Sequence, residues 1–147
     1  MRFRKSLAFV LSAVIMGSAV STSAFAEEKS QIVVDEISPA YELARTASST
    51  LRISSGTAEC TSQCTGNSDV VQISVKQTLQ QFWGLWIWNE VDGASWETTK
   101  SGSSISVVNS IDGLSDGTYR LESVFTLTDK NGKTVTITIY SDEKTIA

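Results

Sequence analysis

Tyr119-Arg120-Leu121-Glu122-Ser123-Val124-Phe125-Thr126-Leu127-Thr128-Asp129-Lys130-Asn131-Gly132-Lys133-Thr134-Val135-Thr136-Ile137-Thr138-Ile139 decides the fold of this chain. Read in twos, Tyr119, Leu121, Ser123, Phe125 and Leu127 form one row and polar residues dominate the other, the period of a half-buried β-strand. The alternation stops at Asp129-Lys130-Asn131-Gly132 and resumes with Val135, Ile137 and Ile139. Asn131 and Gly132 tolerate the positive φ that hairpin turns require, so the two rows are expected to run antiparallel. A calcium loop is a poorer reading of Asp129 and Asn131, because Lys130 and Lys133 crowd it and no distal Glu completes it.

The same period extends upstream. Leu51-Arg52-Ile53-Ser54 alternates up to Gly56, and Ala58, Cys60, Ser62 and Cys64 share one parity up to Gly66-Asn67. Val71, Ile73, Val75 and Leu79 share another, with Gln77 as the one polar intruder on the expected inner face. An aromatic segment from Phe82 to Trp88, a stretch from Asn89 to Trp96, and Ile105-Ser106-Val107 follow. About seven short strands at this spacing, with no helix pattern long enough to cover a sheet, predict an all-β antiparallel sandwich over residues 50–147. The single proline, Pro39, precedes it and leaves every ladder intact. Residues 27–49 read as a leader, extended at Gln31-Ile32-Val33-Val34 and with a short helical turn at Ser38-Pro39 to Ala44.

Arg2, Arg4 and Lys5, an apolar run from Leu7 to Val20, and Ala24-Phe25-Ala26 have the order of an export signal, residues 1–26, cleaved after Ala26. The apolar run is short for a membrane span. A secreted, extracellular protein of 121 residues with no membrane anchor is expected. All 16 acidic residues remain while three of the 12 basic ones leave with the signal, so the mature net charge is −7. That balance disfavours nucleic acid and anionic lipid as partners.

Export makes a Cys60–Cys64 disulfide the default. Four residues of strand span roughly 13 Å, however, and a disulfide tolerates about 7 Å between Cα atoms. Two free, buried thiols are therefore the preferred reading. With no histidine in the chain and no further cysteine, no tetrahedral metal site can be completed from these residue types, and no cofactor-binding motif is found.

The absence of histidine also removes the commonest general base, and no Gly-X-Ser-X-Gly elbow occurs. A carboxylate pair for glycoside hydrolysis can be drawn from Glu90 and Asp92, with Glu97 near, on one strand face. Such neighbours arise easily among 16 acidic residues, and the reading is secondary. The distinctive feature is Phe82-Trp83-Gly84-Leu85-Trp86-Ile87-Trp88. One of Trp86 or Trp88, with Trp96, is expected to fill the sandwich core, where a ring buries about 150–250 Å². A single thin interior has no room for four tryptophans and Phe82. If Gly84 marks a hairpin tip, Trp83 and Leu85 project from it as a contact surface. The candidate contact residues are Trp83, Leu85, Trp86, Asn89 and Glu90, facing a protein or a carbohydrate; a tip that dips into a membrane is a third use, which the net charge of −7 disfavours. The sugar version stacks a ring on Trp83 or Trp86, with Gln81, Asn89 or Glu90 bonding hydroxyls. A non-catalytic binding protein is the expected class.

Leu114-Ser115-Asp116-Gly117-Thr118-Tyr119-Arg120-Leu121 resembles the run entering the penultimate strand of immunoglobulin-like and fibronectin type III domains. That resemblance implies an immunoglobulin-like sandwich in which Tyr119 forms a tyrosine corner. Leu121 stands where antibody-type domains place their second cysteine. A broader resemblance rests on Ile53-Ser54-Ser55-Gly56-Thr57-Ala58-Glu59-Cys60, Leu79-Gln80-Gln81, Trp88-Asn89-Glu90-Val91 with Trp96, Gly117-Thr118-Tyr119-Arg120 and Thr138-Ile139-Tyr140-Ser141. These are similar to a family of small secreted proteins of Gram-positive bacteria. The resemblance implies an extracellular β-sandwich of Gram-positive origin and assigns no catalytic or binding residue.

Overall fold

The computed structural model describes residues 29–33 and 42–147. Among them are nine strands and no helix. They are β1 (Lys29–Val33), β2 (Ala44–Ser54), β3 (Thr57–Gly66), β4 (Val70–Gly84), β5 (Ile87–Ser101), β6 (Ser104–Ile111), β7 (Gly117–Asp129), β8 (Thr134–Tyr140) and β9 (Lys144–Ile146). One sheet has the order β1-β2-β3-β6. In the other, β5, β4 and β7 are neighbours, and β8 and β9 share the far edge of β7 one after the other. All pairings are antiparallel. The chain crosses between sheets three times, so that β6 returns beside β3 and β7 beside β4. This is an immunoglobulin-like antiparallel sandwich.

Two boundaries differ from the sequence expectation. The sandwich begins at Ala44 rather than Thr50, and β1 lies inside the segment expected to be a leader. The inward row of β2 starts with Ala44, Ala47 and Ser49, residues too small to stand out as an apolar alternation. With β1 and β9 the strands number nine rather than about seven. The export signal and residues 38–41 of the expected helical turn lie outside the described residues; Glu42 and Leu43 form a turn and Ala44 opens a strand, so the described end of that segment is not helical.

The β7–β8 hairpin is as expected in direction, but Asn131 does not supply a positive φ; Gly132 alone does, at 86°. Asp129 closes the turn with its own backbone: its N–H donates to Lys133 O at 2.9 Å and its carbonyl accepts from Gly132 N–H at 3.0 Å. Its Oδ1 accepts the N–H groups of Asn131 and Lys133, both at 2.9 Å. A three-residue loop with glycine in the left-handed position is the next commonest hairpin solution after the two-residue turns. Tyr119 forms the corner implied by the resemblance, its hydroxyl donating to Ser115 O at 2.7 Å.

The core divides in two. Phe125, Leu127, Ile73, Val75, Ile137, Ile139, Cys64 and Ile105 form one cluster. Leu51, Leu79, Leu121, Tyr119, Cys60 and Ala58 form the other. Between them runs a polar layer that explains Gln77, which is 0% exposed. Its Nε2 donates to Cys60 O at 3.0 Å and Ser62 Oγ at 2.8 Å. Its Oε1 accepts from Asn109 Nδ2 at 2.6 Å. Ser62 and Ser49 each share a hydrogen bond with Ser123, at 2.6 and 2.8 Å. Every member is satisfied, which is the condition under which a buried polar network is stable. It ties β2 and β3 to β4 and β7, and a one-residue slip of register would strand it.

Cys60 and Cys64 are free and buried, one in each cluster. They share the inward face of β3, four residues apart, as the extended geometry requires. Burial pushes both thiols up to about 12, with Glu59 adding to the effect at Cys60.

Candidate functional site

β4 and β5 are the longest strands, 15 residues each, and they run past the body of their sheet. The last rung joining β4 to β7 is Gln81 to Tyr119. Beyond it the β4–β5 hairpin continues alone, with Phe82 facing Trp88 and Gly84 facing Ile87. From Gln81 to the apex this free arm is roughly 13 Å long.

Gly84 ends β4 at φ 96°, and the two-residue turn consists of Leu85 and Trp86, at φ 52° and 67°. Positive φ at both central positions is the signature of a type I′ turn, a geometry dominated by Asn, Asp and Gly. The β2–β3 hairpin makes the same two-residue turn with Ser55 and Gly56, at φ 52° and 77°. At the β4–β5 turn two large apolar residues occupy a conformation disfavoured by about 1–2 kcal/mol per residue. They are not held there by packing: Leu85 is 87% and Trp86 90% exposed. Trp83, 72% exposed, sits where the register shifts between Phe82 and Gly84, and Ile87 is 51% exposed. Strain retained at exposed apolar residues is a pattern associated with functional sites.

The placement of the tryptophans corrects the sequence reading. Trp86 lies in the turn rather than on a strand face with Trp88, and neither fills the core. The largest fully buried rings are Tyr119 and Phe125. The opposing inner face carries Leu51 and Ile105 among the smaller Ala47, Ser49, Ala58, Cys60, Ser62 and Cys64, and none of its buried residues is aromatic. Trp96 packs, partly buried, against the second cluster.

Trp88 belongs to a ladder on the outer face of the sheet. The Arg120 guanidinium lies over the Trp88 ring at 4.2 Å and over the Tyr140 ring at 4.1 Å. Phe82 meets Trp88 edge-on, with centroids 5.3 Å apart. Arg120 Nε donates to Gln80 Oε1 at 2.7 Å, and Tyr140 Oη donates to Glu122 Oε2 at 3.2 Å. Burial lowers the Arg120 pKa from its usual value against the opposing pull of Tyr140, Glu122 and Glu143. Burial, then Glu122, raises that of Tyr140. One face of Trp88 is covered by the guanidinium and the ring also meets Phe82, so the ladder braces the root of the arm. Arg120 and Tyr140 escaped the sequence reading because their proximity to Trp88 depends on strand register. Their outward parity in β7 and β8 was the only trace available.

The remaining candidates are not brought together. Asn89 pairs with Gln81 and Glu90 with Gln80, on successive positions of β5 and hence opposite faces. Glu90 and Asp92 are two positions apart on β5, with Val91 between them packed, partly buried, against the second cluster. The register between Thr78 and Gln80 shifts because residues 91–94 form a bulge with Gly93 at φ 76°, and Ala94 turns inward. Glu90 and Asp92 are both exposed. An open groove of about 340 Å³ lies along β2, β3 and β6, lined by Thr46, Ser48, Gln63, Thr65 and Ser106 with Lys100 of β5, and with no carboxylate. Among the described residues no group of three His, Cys, Asp or Glu could hold a metal ion.

No protein-family model matches the chain, and no curated protein matches it.

Proposed function

We propose that this is an exported, non-catalytic binding protein that engages its partner through the apex of the β4–β5 hairpin, with Trp83, Leu85 and Trp86 as the contact residues. The observation that carries the reading is the pair Leu85 and Trp86, held at positive φ and about nine-tenths exposed. A turn selected for stability alone would carry residues such as those at Ser55-Gly56. Large apolar side chains that neither relieve strain nor fill the core are explained by what they meet outside the molecule. The ring and guanidinium ladder supports the same reading, because a braced arm presents its apex at little cost in ordering. The glycoside-active alternative has weaker support, since Glu90 and Asp92 lie open to solvent.

The test compares the wild-type protein with the variant Leu85→Ser/Trp86→Ser for pelleting with bacterial cells and with insoluble cell-wall polysaccharide. The proposal expects the wild type to be retained on at least one of these two surfaces, and that retention to be lost in the variant at an unchanged melting temperature. Retention that survives the double substitution would overturn it. So would hydrolysis of glycosides abolished by Glu90→Gln or Asp92→Asn.

A further inference from the structure

We infer that the partner of the hairpin apex is the interfacial zone of an uncharged lipid bilayer, which the arm enters tip first. The inference rests on the apex being the contact surface and names what it contacts.

From Phe82 to Trp88 there is no charged, hydroxyl or carboxamide side chain, and the indole N–H groups are the only polar side-chain atoms. A site for a sugar or a peptide needs several polar groups converging on one ligand to fix its orientation. Here the nearest ones diverge, Asn89 and Glu90 being on opposite faces of β5 and Gln81 turned to Asp116 O at 3.4 Å. Shape points the same way. A two-residue apex is convex and narrow, far from the roughly 800 Å² per partner of a standard protein interface.

A bilayer asks for what the arm has. Leucine and isoleucine partition into the acyl region, and tryptophan concentrates at the headgroup boundary, where its ring is buried and its N–H stays wet. Leu85 and Trp86 stand at the apex with Trp83 and Ile87 one step behind. The arm of roughly 13 Å exceeds the 5–10 Å depth of interfacial apolar faces. The turn is closed by the Gly84–Ile87 rung, and the few free peptide groups at the apex remain within reach of headgroup water.

Charge sets the kind of bilayer. The chain carries a formal net charge of −4, and the whole of the mature part is more acidic still. Anionic lipid repels such a body over about a Debye length, 8 Å at physiological salt. A surface of zwitterionic headgroups imposes no such penalty.

The experiment is co-sedimentation of the full mature protein with phosphatidylcholine vesicles and with vesicles containing one-third phosphatidylglycerol. Tryptophan emission is recorded in parallel. Wild type is expected to pellet with phosphatidylcholine and shift its emission to the blue, and to bind the anionic vesicles more weakly at low salt. Leu85→Ser/Trp86→Ser is expected to reduce partitioning roughly 30-fold or more, whereas Val108→Ser, which removes an exposed apolar residue on β6, changes nothing. Failure of the wild type to bind either vesicle, while its retention on delipidated cells or its self-association remains apex-dependent, overturns the lipid assignment alone. Vesicle binding that the double substitution leaves intact overturns the apex reading itself.

Discussion

Replacing Leu85 and Trp86 by Asn and Gly should make the protein more stable while removing its contact surface. Each residue occupies the left-handed region, disfavoured for ordinary side chains by about 1–2 kcal/mol, which Asn and Gly largely avoid. Glycine returns about 0.5–1 kcal/mol of this through the greater freedom of the unfolded chain. With Leu85 and Trp86 about nine-tenths exposed, little buried area is lost. The net gain is about 1–2 kcal/mol. For a domain of this size the unfolding entropy is about 0.2 kcal/mol/K near the transition, so the melting temperature should rise by about 5–9 °C. Circular dichroism melts and urea titrations of the two proteins measure it. A melting temperature unchanged or lowered in Leu85→Asn/Trp86→Gly would refute the argument, because it would mean that these side chains support the fold.

Three further substitutions or conditions probe the rest of the account. Gln77→Leu leaves Ser62, Asn109 and the Cys60 carbonyl without their buried partner, and chemical denaturation should show a loss of about 2–4 kcal/mol. Tyr119→Phe keeps the ring and deletes the bond to Ser115 O, so a loss of about 1 kcal/mol is expected by the same assay. The thiols of Cys60 and Cys64 are raised from 9.0 to about 12 in the folded state. Below pH 9 both states are protonated and the contribution is flat. Between pH 9 and 12 the unfolded state releases protons that the native state keeps, so stability should fall by up to about 1.4 kcal/mol per pH unit per thiol. Iodoacetamide should label neither cysteine in native protein at pH 8 and both after unfolding, and Cys60→Ala/Cys64→Ala should flatten the alkaline limb.

The sequence carried the sandwich because its central strands contrast large apolar residues with polar ones; the rows from Ile73 to Leu79 and from Tyr119 to Ile139 are inward where the alternation puts them. It carried the exposed hairpin by a volume argument, since four tryptophans exceed one thin core. It failed where contrast vanishes. Ala44, Ala47 and Ser49 give β2 a buried face that reads as featureless, and β1 adds backbone pairing that no periodicity announces. It failed again where pairing register decides proximity. The bulge at residues 91–94 interrupts the regular pairing of β5 with β4, and the stacking of Trp88, Arg120 and Tyr140 joins three strands that are distant along the chain. Gln77 showed as an intruder, but its reason lay in residues of two other strands, Cys60 and Ser62 on β3 and Asn109 on β6.

The central claim is that two particular indoles of the four meet the partner, and 5-fluorotryptophan labelling reports all four at once. In the free protein, the resonances of Trp83 and Trp86 should show the largest shift between H₂O and D₂O. On adding phosphatidylcholine vesicles, those two should lose that solvent shift and broaden, while Trp96 keeps its position. Vesicles that leave Trp83 and Trp86 unchanged, or that move Trp96 first, would contradict the account.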